Sequence, residues 1–150
     1  MTKILFVCHG NICRSPMAEF VMKDFVSKRG LSSDFYIASS ATSTEEIGND
    51  MHYGTRRMLD KYGVKYTRRE AVQLESGDYE KYDLFVGMDM ANVRNMQRIF
   101  GSDPKDKIVR LLDLTSEKRD VADPWYTGNF EVTYRDINEG CEALLEYLLK

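Results

Sequence analysis

The chain of 150 residues has the length of one ordinary globular domain, and 43% of its residues are hydrophobic, which is enough to fill a core. Its 24 acidic and 21 basic residues give a net charge of −3, so the sequence lacks the basic stripe that binds nucleic acid. No apolar run approaches the roughly 20 residues that span a bilayer, and the N-terminal MTKILFVCHG is too short and strand-like for a signal peptide, which predicts a cytoplasmic protein without a membrane partner.

The first half of the chain predicts two strands and two helices. The continuous apolar run at residues 3–8 is typical of a strand buried in a parallel sheet. Ser15 is the predicted N-cap of a helix that starts at Pro16 and runs to Gly30, because apolar residues recur there at helical spacing. Residues 35–40 predict the second strand, and residues 51–63 predict a helix that Gly63 closes.

The second half continues the alternation. Residues 82–88 predict the third strand, a helix follows from Asp89 or its neighbours to about residue 100, and residues 107–112 predict the fourth strand. A loop through residues 120–129 precedes a long amphipathic helix at 130–149. The pattern predicts a single α/β domain over residues 1–150, with a four-stranded parallel sheet between two layers of helices.

The loop after the first strand carries the chemistry. Five residues, HGNIC, separate Cys8 from Arg14, and this spacing lets the backbone curl into a ring whose N–H groups and guanidinium face one anion. The helix N-terminus behind the ring and the permissive Gly10 favour a phosphate site, and the same field favours a thiolate at Cys8. The predicted phosphate-binding residues are His9, Gly10, Asn11, Ile12, Cys13, Arg14 and Ser15.

Neither a metal nor another cofactor is expected. His9 and His52 do not form the closely spaced Cys or His pairs of a closed zinc site. Arg14 and the loop N–H groups can carry the phosphate charge by themselves. A thiolate beneath a bound phosphoryl group then indicates nucleophilic attack at phosphorus.

The motif VCHGNICRSPMAE at residues 7–19, together with DPWY at residues 123–126, resembles the low-molecular-weight protein tyrosine phosphatase family over essentially the whole chain. The resemblance implies that Cys8 is the nucleophile, that Arg14 binds the phosphoryl oxygens, and that Asp123 is the general acid and later the general base. It also implies that Asn11 and Ser39 hold the loop in its strained shape, while Ser15 donates a hydrogen bond to the Cys8 sulfur.

The chemistry of the leaving group supports a general acid at Asp123 independently of the family resemblance. A tyrosyl oxygen is not an easy leaving group near pH 7, so its protonation as the P–O bond breaks lowers the barrier. Pro124 restricts Asp123 to extended backbone, and Trp125 and Tyr126 can stack on a phenyl ring as the substrate wall. We expect a phosphotyrosine protein or peptide as the partner, inorganic phosphate or vanadate as a ligand, and a monomer or weak dimer.

The sequence departs from the family at two places. Glu45 stands where many members carry an aromatic residue on the far wall of the cleft, which predicts a narrower range of acidic phosphopeptides. Arg68 stands in place of a histidine common in the family, and is expected to pair with Asp89, which is expected to support the loop.

Three other functions compete with phosphotyrosine hydrolysis. An arsenate reductase of this fold needs further relay cysteines, and none occurs between Cys13 and Cys141. A protein-arginine phosphatase branch has threonine at the position of Ile12 and a small glycine-containing segment at the position of Trp125 and Tyr126. A non-catalytic phosphotyrosine-binding module is expected to lose the nucleophile or the acid, and both are present.

The remaining cysteines have different expected roles. Cys13 shares the tight loop with Cys8, which predicts that it resolves a Cys8 sulfenic acid as a disulfide under oxidation. Cys141 lies on the apolar side of the last helix and is predicted to be a core residue.

Overall fold

A four-stranded parallel sheet forms the centre of the molecule. In the computed structural model, which describes residues 1–150, the strands are β1 (Thr2–Cys8), β2 (Phe35–Ala41), β3 (Leu84–Gly87) and β4 (Ile108–Arg110). Their spatial order is β2-β1-β3-β4, and every neighbouring pair is parallel. The predicted α/β class and the four strands are confirmed.

Five helices connect or follow the strands. They are α1 (Arg14–Lys28), α2 (Tyr53–Lys61), α3 (Met90–Phe100), α4 (Pro124–Thr127) and α5 (Phe130–Leu148). Short 3₁₀ turns occur at Ser32–Asp34, Ser76–Glu80 and Leu111–Leu114. No helix is both long and apolar enough to cross a membrane.

The alternation of side chains along β1 divides the core into two clusters. Ile4, Phe6 and Cys8 belong to the larger cluster, whereas Leu5 and Val7 belong to the smaller one. Helices α1 and α5 supply many members of the larger cluster, and α3 supplies members of the smaller one. Both faces of the sheet are therefore covered, as expected for parallel strands.

Helix α1 begins earlier than the sequence predicts. Its first residue is Arg14 rather than Pro16, and Ser15 is not the N-cap, because Cys13 holds that position without a side-chain cap. The Ser15 N–H lies 3.4 Å from the Cys8 sulfur, so a first-turn amide has a partner outside the helix. Pro16 fits in the first turn, where its missing N–H leaves no intrahelical bond unmade.

Other boundaries differ by a few residues or gain a short element. The predicted fourth strand ends at Arg110, where the 3₁₀ turn begins, and the predicted loop at residues 120–129 contains α4. Asp123 caps α4 by accepting a hydrogen bond from the Trp125 N–H at 3.0 Å. Gly128 ends α4 with a φ of +68°, a left-handed conformation that glycine adopts readily. This turn fixes the direction of the DPWY segment.

The strand order creates a crevice at the carboxyl end of β1. Because β2 lies on one side of β1 and β3 on the other, the connections from these strands leave in opposite directions. Cys8 ends β1, and Asp89 follows β3 as the N-cap of α3. Ligands of open α/β sheets bind at such a switch point, and the predicted nucleophile lies there.

Candidate active site

A cleft of about 550 Å³ opens above the loop after β1. The loop forms its floor, and three further segments supply its walls: residues 45–46, the start of α3, and the DPWY segment. The lining residues are Cys8, His9, Gly10, Asn11, Ile12, Cys13, Arg14, Glu45, Glu46, Asp89, Ala91, Asn92, Asn95, Asp123, Trp125 and Tyr126. The cleft thus gathers most of the predicted site residues, while Ser15 and Ser39 lie behind its floor.

Three groups converge on the Cys8 sulfur. The Asn11 N–H and the Ser15 N–H donate to Sγ at 3.3 Å and 3.4 Å, and Ser15 Oγ lies 3.0 Å from it. Asn11 Nδ2 donates to Ser15 Oγ at 2.7 Å, which leaves the Ser15 hydroxyl hydrogen free to point at the sulfur. Converging donors stabilise negative charge on Cys8, and the predicted Ser15 contact is present.

Asn11 holds the loop in its curled shape. Its φ of +59° is left-handed, which is uncommon for a residue with a Cβ, and the residue is fully buried. Its side-chain Nδ2 donates to Ser39 Oγ at 3.0 Å as well as to Ser15 Oγ, while its side-chain Oδ1 accepts from the Val72 N–H at 3.2 Å. These bonds compensate backbone strain of the order of 1–3 kcal/mol.

The loop network continues through a buried carboxylate. Ser39 Oγ donates to Glu19 Oε1 at 2.6 Å, and Lys23 donates to Glu19 Oε2 at 2.6 Å. Glu19 is only 9% exposed, so its carboxylate oxygens need these hydrogen-bond partners in place of water. The sequence motif contained Glu19, but nothing in its spacing indicated that the side chain fixes Ser39.

Arg69, and not Arg68, enters this network. The Arg69 guanidinium donates to the side-chain oxygen Oδ1 of Asn11, whereas Arg68 is exposed and makes no ion pair. The prediction that Arg68 pairs with Asp89 is wrong, because Asp89 pairs with Arg14 instead. Burial lowers the pKa of Arg69, and the nearby charges of Glu19, Asp50 and Cys8 oppose that shift.

Arg14 is held between two carboxylates. Its Nη1 lies 3.0 Å from Asp89 Oδ2 and donates to the Val121 carbonyl at 3.1 Å, and its Nη2 donates to Asp123 Oδ2 at 3.3 Å. Burial opposes the charge on Arg14, which is 3% exposed, but Cys8, Asp123 and Asp89 together raise its pKa. The guanidinium therefore stays charged beside the sulfur and the predicted acid.

Asp89 has a more specific location than the sequence indicated. It caps α3 by accepting from the Asn92 N–H at 2.8 Å, and its other oxygen faces Arg14. No hydrogen bond joins the Asp89 side chain to the loop backbone. Its support for the loop is thus indirect, because it orients Arg14.

The rim of the cleft combines two exposed aromatic rings with acidic side chains. Trp125 and Tyr126 are 76% and 84% exposed. Glu45 Oε2 lies 2.8 Å from His9 Nε2, which places the predicted wall residue beside the loop. Glu46 also lines the cleft, although no sequence pattern indicates a role for it.

All three cysteines are free thiols. Burial, followed by the negative charges of Cys8 and Asp123, raises the pKa of Cys13 to about 12. Cys141 is fully buried in the larger cluster, which confirms its predicted core position, and burial raises its pKa. No group of three His, Cys, Asp or Glu side chains is arranged to hold a metal ion.

The family model described as "Low molecular weight phosphotyrosine protein phosphatase" matches residues 3–150. The chain is 39% identical over 152 residues to the low molecular weight protein-tyrosine-phosphatase YfkJ of Bacillus subtilis, covering 100% of this chain and 97% of that protein. The crystal structure of YfkJ has a TM-score of 0.95 at 38% identity, covering 99% of this chain and 95% of that one.

Two further solved structures are similar over the whole chain. SP-PTP, a low molecular weight protein tyrosine phosphatase from Streptococcus pyogenes, has a TM-score of 0.90 at 40% identity, covering 100% of this chain and 95% of that one. DARP, a Drosophila arginine phosphatase, has a TM-score of 0.90 at 28% identity, covering 99% of each chain. The fold is therefore shared by proteins whose names carry two different phosphatase activities.

Proposed function

Because the chain belongs to the low molecular weight phosphotyrosine protein phosphatase family, we propose that it hydrolyses phosphotyrosine in proteins through a phosphocysteine intermediate on Cys8. The observation that carries this mechanism is the convergence of two N–H groups and the Ser15 hydroxyl on the Cys8 sulfur. A sulfur stabilised as a thiolate is a strong nucleophile, and it lies at the floor of a cleft open to substrate.

In the first step, the Cys8 thiolate attacks phosphorus and forms an S–P bond while the bond from phosphorus to the tyrosyl oxygen breaks. The electron pair of that bond goes to the tyrosyl oxygen, and Asp123 transfers its proton to the same oxygen. Asp123 is at the N-cap of α4, with an exposed aromatic wall immediately after it, so its carboxyl group can reach a leaving group between wall and loop.

In the second step, a water molecule attacks the phosphocysteine. Asp123, now a carboxylate, accepts a proton from the water, the S–P bond breaks, and inorganic phosphate and the Cys8 thiolate are released. One carboxyl group therefore serves as acid and then as base. Product phosphate and its analogue vanadate are the expected ligands of the loop.

Arg14 and the loop N–H groups carry the charge of the phosphoryl oxygens. A guanidinium can bind two oxygens at once through parallel N–H groups. Asp89 orients the Arg14 guanidinium through an ion pair on one side. Because these donors are in place before the reaction, they stabilise the transition state with little rearrangement. This arrangement needs no metal ion.

Arginine phosphatase activity is the second candidate. Its support is the similarity to DARP at a TM-score of 0.90. Ile12 in the loop and the large Trp125 and Tyr126 on the rim argue against it, since a threonine and a small glycine-containing segment stand there in the arginine-specific branch. An apolar loop side chain and an aromatic wall favour a phenyl ring over a guanidinium.

The test compares phosphotyrosine, phosphoserine and phosphoarginine peptides of otherwise equal sequence. We expect turnover of the phosphotyrosine peptide to exceed the other two by orders of magnitude. Cys8→Ser should abolish turnover and still bind vanadate, because Arg14 and the loop N–H groups remain. A Cys8→Ser protein that keeps substantial activity would exclude the phosphocysteine mechanism, and faster turnover of phosphoarginine would favour the second candidate.

A further inference from the structure

Two glutamates on one side of the cleft have no lysine or arginine partner. Glu45 and Glu46 both line the cleft, and neither forms an ion pair with Lys or Arg. Glu45 Oε2 contacts His9 Nε2, and Glu46 Oε2 accepts a hydrogen bond from Asn49 Nδ2 at 2.7 Å. Each carboxylate therefore has a defined hydrogen-bond partner, but neither is neutralised by a lysine or an arginine.

The charges at the floor of the cleft do not offset the rim. Arg14 is the only Lys or Arg that lines the cleft, and it already faces Asp89 and Asp123. Bound phosphate adds further negative charge at the loop. A substrate that fills the cleft thus brings its phosphate to Arg14 and its neighbouring residues to an acidic rim.

The segment that carries the glutamates is fixed to the loop. The Ser43 N–H and its hydroxyl donate to the His9 carbonyl oxygen at 3.0 Å and 2.8 Å. A Cβ at Gly10 would lie 3.4 Å from Glu46 Cγ, so the stem of Glu46 packs directly on the loop. The two carboxylates therefore stay next to the phosphate site, within reach of residues that flank a bound phosphotyrosine.

We propose that Glu45 and Glu46 make this phosphatase selective for phosphotyrosine that is flanked by lysine or arginine. A basic neighbour is attracted by the two carboxylates, and the exposed Trp125 ring, which lines the same cleft, offers a second contact for a cationic side chain. An acidic neighbour is repelled by both the rim and the bound phosphate. The inference rests on the proposed phosphotyrosine hydrolysis and adds the class of substrate sequence.

Three phosphotyrosine peptides test the inference. They are identical except that both neighbours of the phosphotyrosine are Lys, Gln or Glu. At low ionic strength we expect kcat/KM to fall in that order, with about a tenfold ratio between the Lys and Glu peptides, since exposed charge pairs have modest energies. At about 0.5 M salt, where the screening length is about 4 Å, the ratio should shrink severalfold.

The variant Glu45→Gln with Glu46→Gln removes the two charges and keeps the size of the side chains. Its ratio of kcat/KM for the Lys and Glu peptides should fall to about twofold or less. The matched control is Glu142→Gln with Glu146→Gln, which changes the net charge equally on the exposed side of α5, outside the cleft. The control should keep the ratio of the unmodified protein.

The outcomes separate the two proposals. If the unmodified protein hydrolyses all three peptides at equal kcat/KM, or prefers the Glu peptide, the inference is overturned and phosphotyrosine hydrolysis stands. If the control variant loses selectivity as much as the rim variant, net charge rather than Glu45 and Glu46 is responsible, which also overturns it. If none of the peptides is hydrolysed, the proposed function fails and the inference fails with it.

Discussion

Asp123 combines a structural role with its proposed catalytic one. Its Oδ1 caps α4 and its Oδ2 faces Arg14, so a test must remove the proton without removing the cap. Asp123→Asn does so, because an asparagine side chain is an equally good N-cap. We expect phosphotyrosine hydrolysis to slow by about 10² to 10⁴-fold, the usual contribution of a positioned acid.

An ester with an acidic leaving group, such as p-nitrophenyl phosphate, is the control substrate for Asp123→Asn. Its leaving group departs without a proton, so its hydrolysis should slow far less. Steady-state kinetics on both substrates measure the difference. Equal losses on the two would mean that Asp123 acts only by shaping the DPWY segment.

Arg69 is a positioning residue for the loop in the arrangement seen here. Its guanidinium donates to Asn11 Oδ1, and the Asn11 side chain in turn donates to Ser15 beside Cys8, where the Asn11 backbone is strained. Arg69→Ala should lower kcat/KM by about tenfold, the effect of about 1.4 kcal/mol, because the loop that holds Cys8 loses a support.

Arg68→Ala is the matched control for Arg69→Ala. It removes the same charge from the adjacent, exposed position and should leave kcat/KM unchanged. Arg69→Lys should recover part of the loss, because an ammonium restores the charge without the planar fork. If Arg68→Ala is as damaging as Arg69→Ala, general surface charge rather than the Asn11 contact is responsible.

Cys13 remains the proposed resolving thiol for oxidised Cys8. Burial and nearby negative charge raise the pKa of Cys13 to about 12, so the thiol is protonated near pH 7 and does not compete with Cys8 as the nucleophile. Oxidation of Cys8 to an uncharged sulfenic acid would remove one of the negative charges that raise the pKa of Cys13. After peroxide and then dithiothreitol, the unmodified protein should regain activity and Cys13→Ser should regain little.

Mass spectrometry of the oxidised protein supplies the second readout for Cys13. A linked pair of peptides containing Cys8 and Cys13 is expected. Equal recovery of the two proteins, or the absence of a linked pair, would show that the resolving role is wrong and that Cys13 is a packing residue. The variant must first be shown to have normal activity before oxidation.

The residues of the loop could be predicted from the sequence, whereas their outer partners could not. Cys8, Asn11, Arg14 and Ser15 lie in one short motif whose spacing reflects a ring around an anion. Arg69 comes from an irregular segment between α2 and β3, where no periodicity distinguishes an inward side chain from the adjacent Arg68. The error of one residue at this position has that physical cause.

Helix α5 packs closely against the 3₁₀ turn at Leu111–Leu114 because Gly140, which faces that turn, has no side chain. A Cβ at Gly140 would lie 2.4 Å from Leu111 Cγ, a distance that requires Leu111 or the helix to move. Alanine is favoured over glycine inside a helix by about 1 kcal/mol, but overpacking a rigid contact costs about 1–3 kcal/mol. Because three atoms of Leu111 would lie within about 3 Å of the new Cβ, the overpacking cost falls at the upper end of that range and exceeds the helix gain. We expect Gly140→Ala to lower the free energy of unfolding by about 1–2 kcal/mol.

Gly77→Ala is the control for Gly140→Ala. A Cβ at Gly77 would have no neighbour within 4 Å, and the φ of this residue is not positive. Its free energy of unfolding should change by less than about 0.5 kcal/mol. Urea unfolding of the three proteins provides the comparison, and a Gly140→Ala protein as stable as the unmodified one would show that α5 can shift freely.

The order of elements was predictable, but their ends were not. Apolar periodicity identifies the four strands and the four longer helices, because each buries a regular face. The start of α1 depends instead on the Cys8 sulfur, which accepts the Ser15 N–H across the loop. Helix α4 is a single turn that Asp123 and Gly128 define by capping, so it has too few residues to show periodicity.

At the scale of the whole molecule, the strand order β2-β1-β3-β4 could not be predicted from the sequence. Buried strands are apolar on both faces, so their sequences carry little information about which neighbour they pair with. The sheet order nevertheless decides the function, because it places the ends of β1 and β3 beside each other. Arg14 from the loop and Asp89 from the start of α3 meet for this reason.

Global stability should decrease at alkaline pH because of a thiol in the centre of the core. Burial raises the pKa of Cys141 above the value of 9.0 that its thiol has in the unfolded chain. Above pH 9.0 the unfolded chain therefore releases this proton while the folded protein keeps it. The contribution of the buried, neutral thiol to the free energy of unfolding is fully present below pH 9.0 and is lost as the pH rises above that value. At about pH 10 this one group lowers the free energy of unfolding by on the order of 1 kcal/mol.

Cys141→Ala removes the titrating group from the larger cluster, and Val21→Ala, in the same cluster, leaves a cavity without removing a thiol. Urea unfolding at about pH 8 and about pH 10 should show that Cys141→Ala loses on the order of 1 kcal/mol less stability over this interval than the unmodified protein. Val21→Ala should be less stable at both values and should lose as much over the interval as the unmodified protein. Because the other titrating groups are common to all three proteins, their contributions cancel in the comparison. If Cys141→Ala loses as much stability as Val21→Ala, the thiol reaches water in the folded protein and the core around α5 is open.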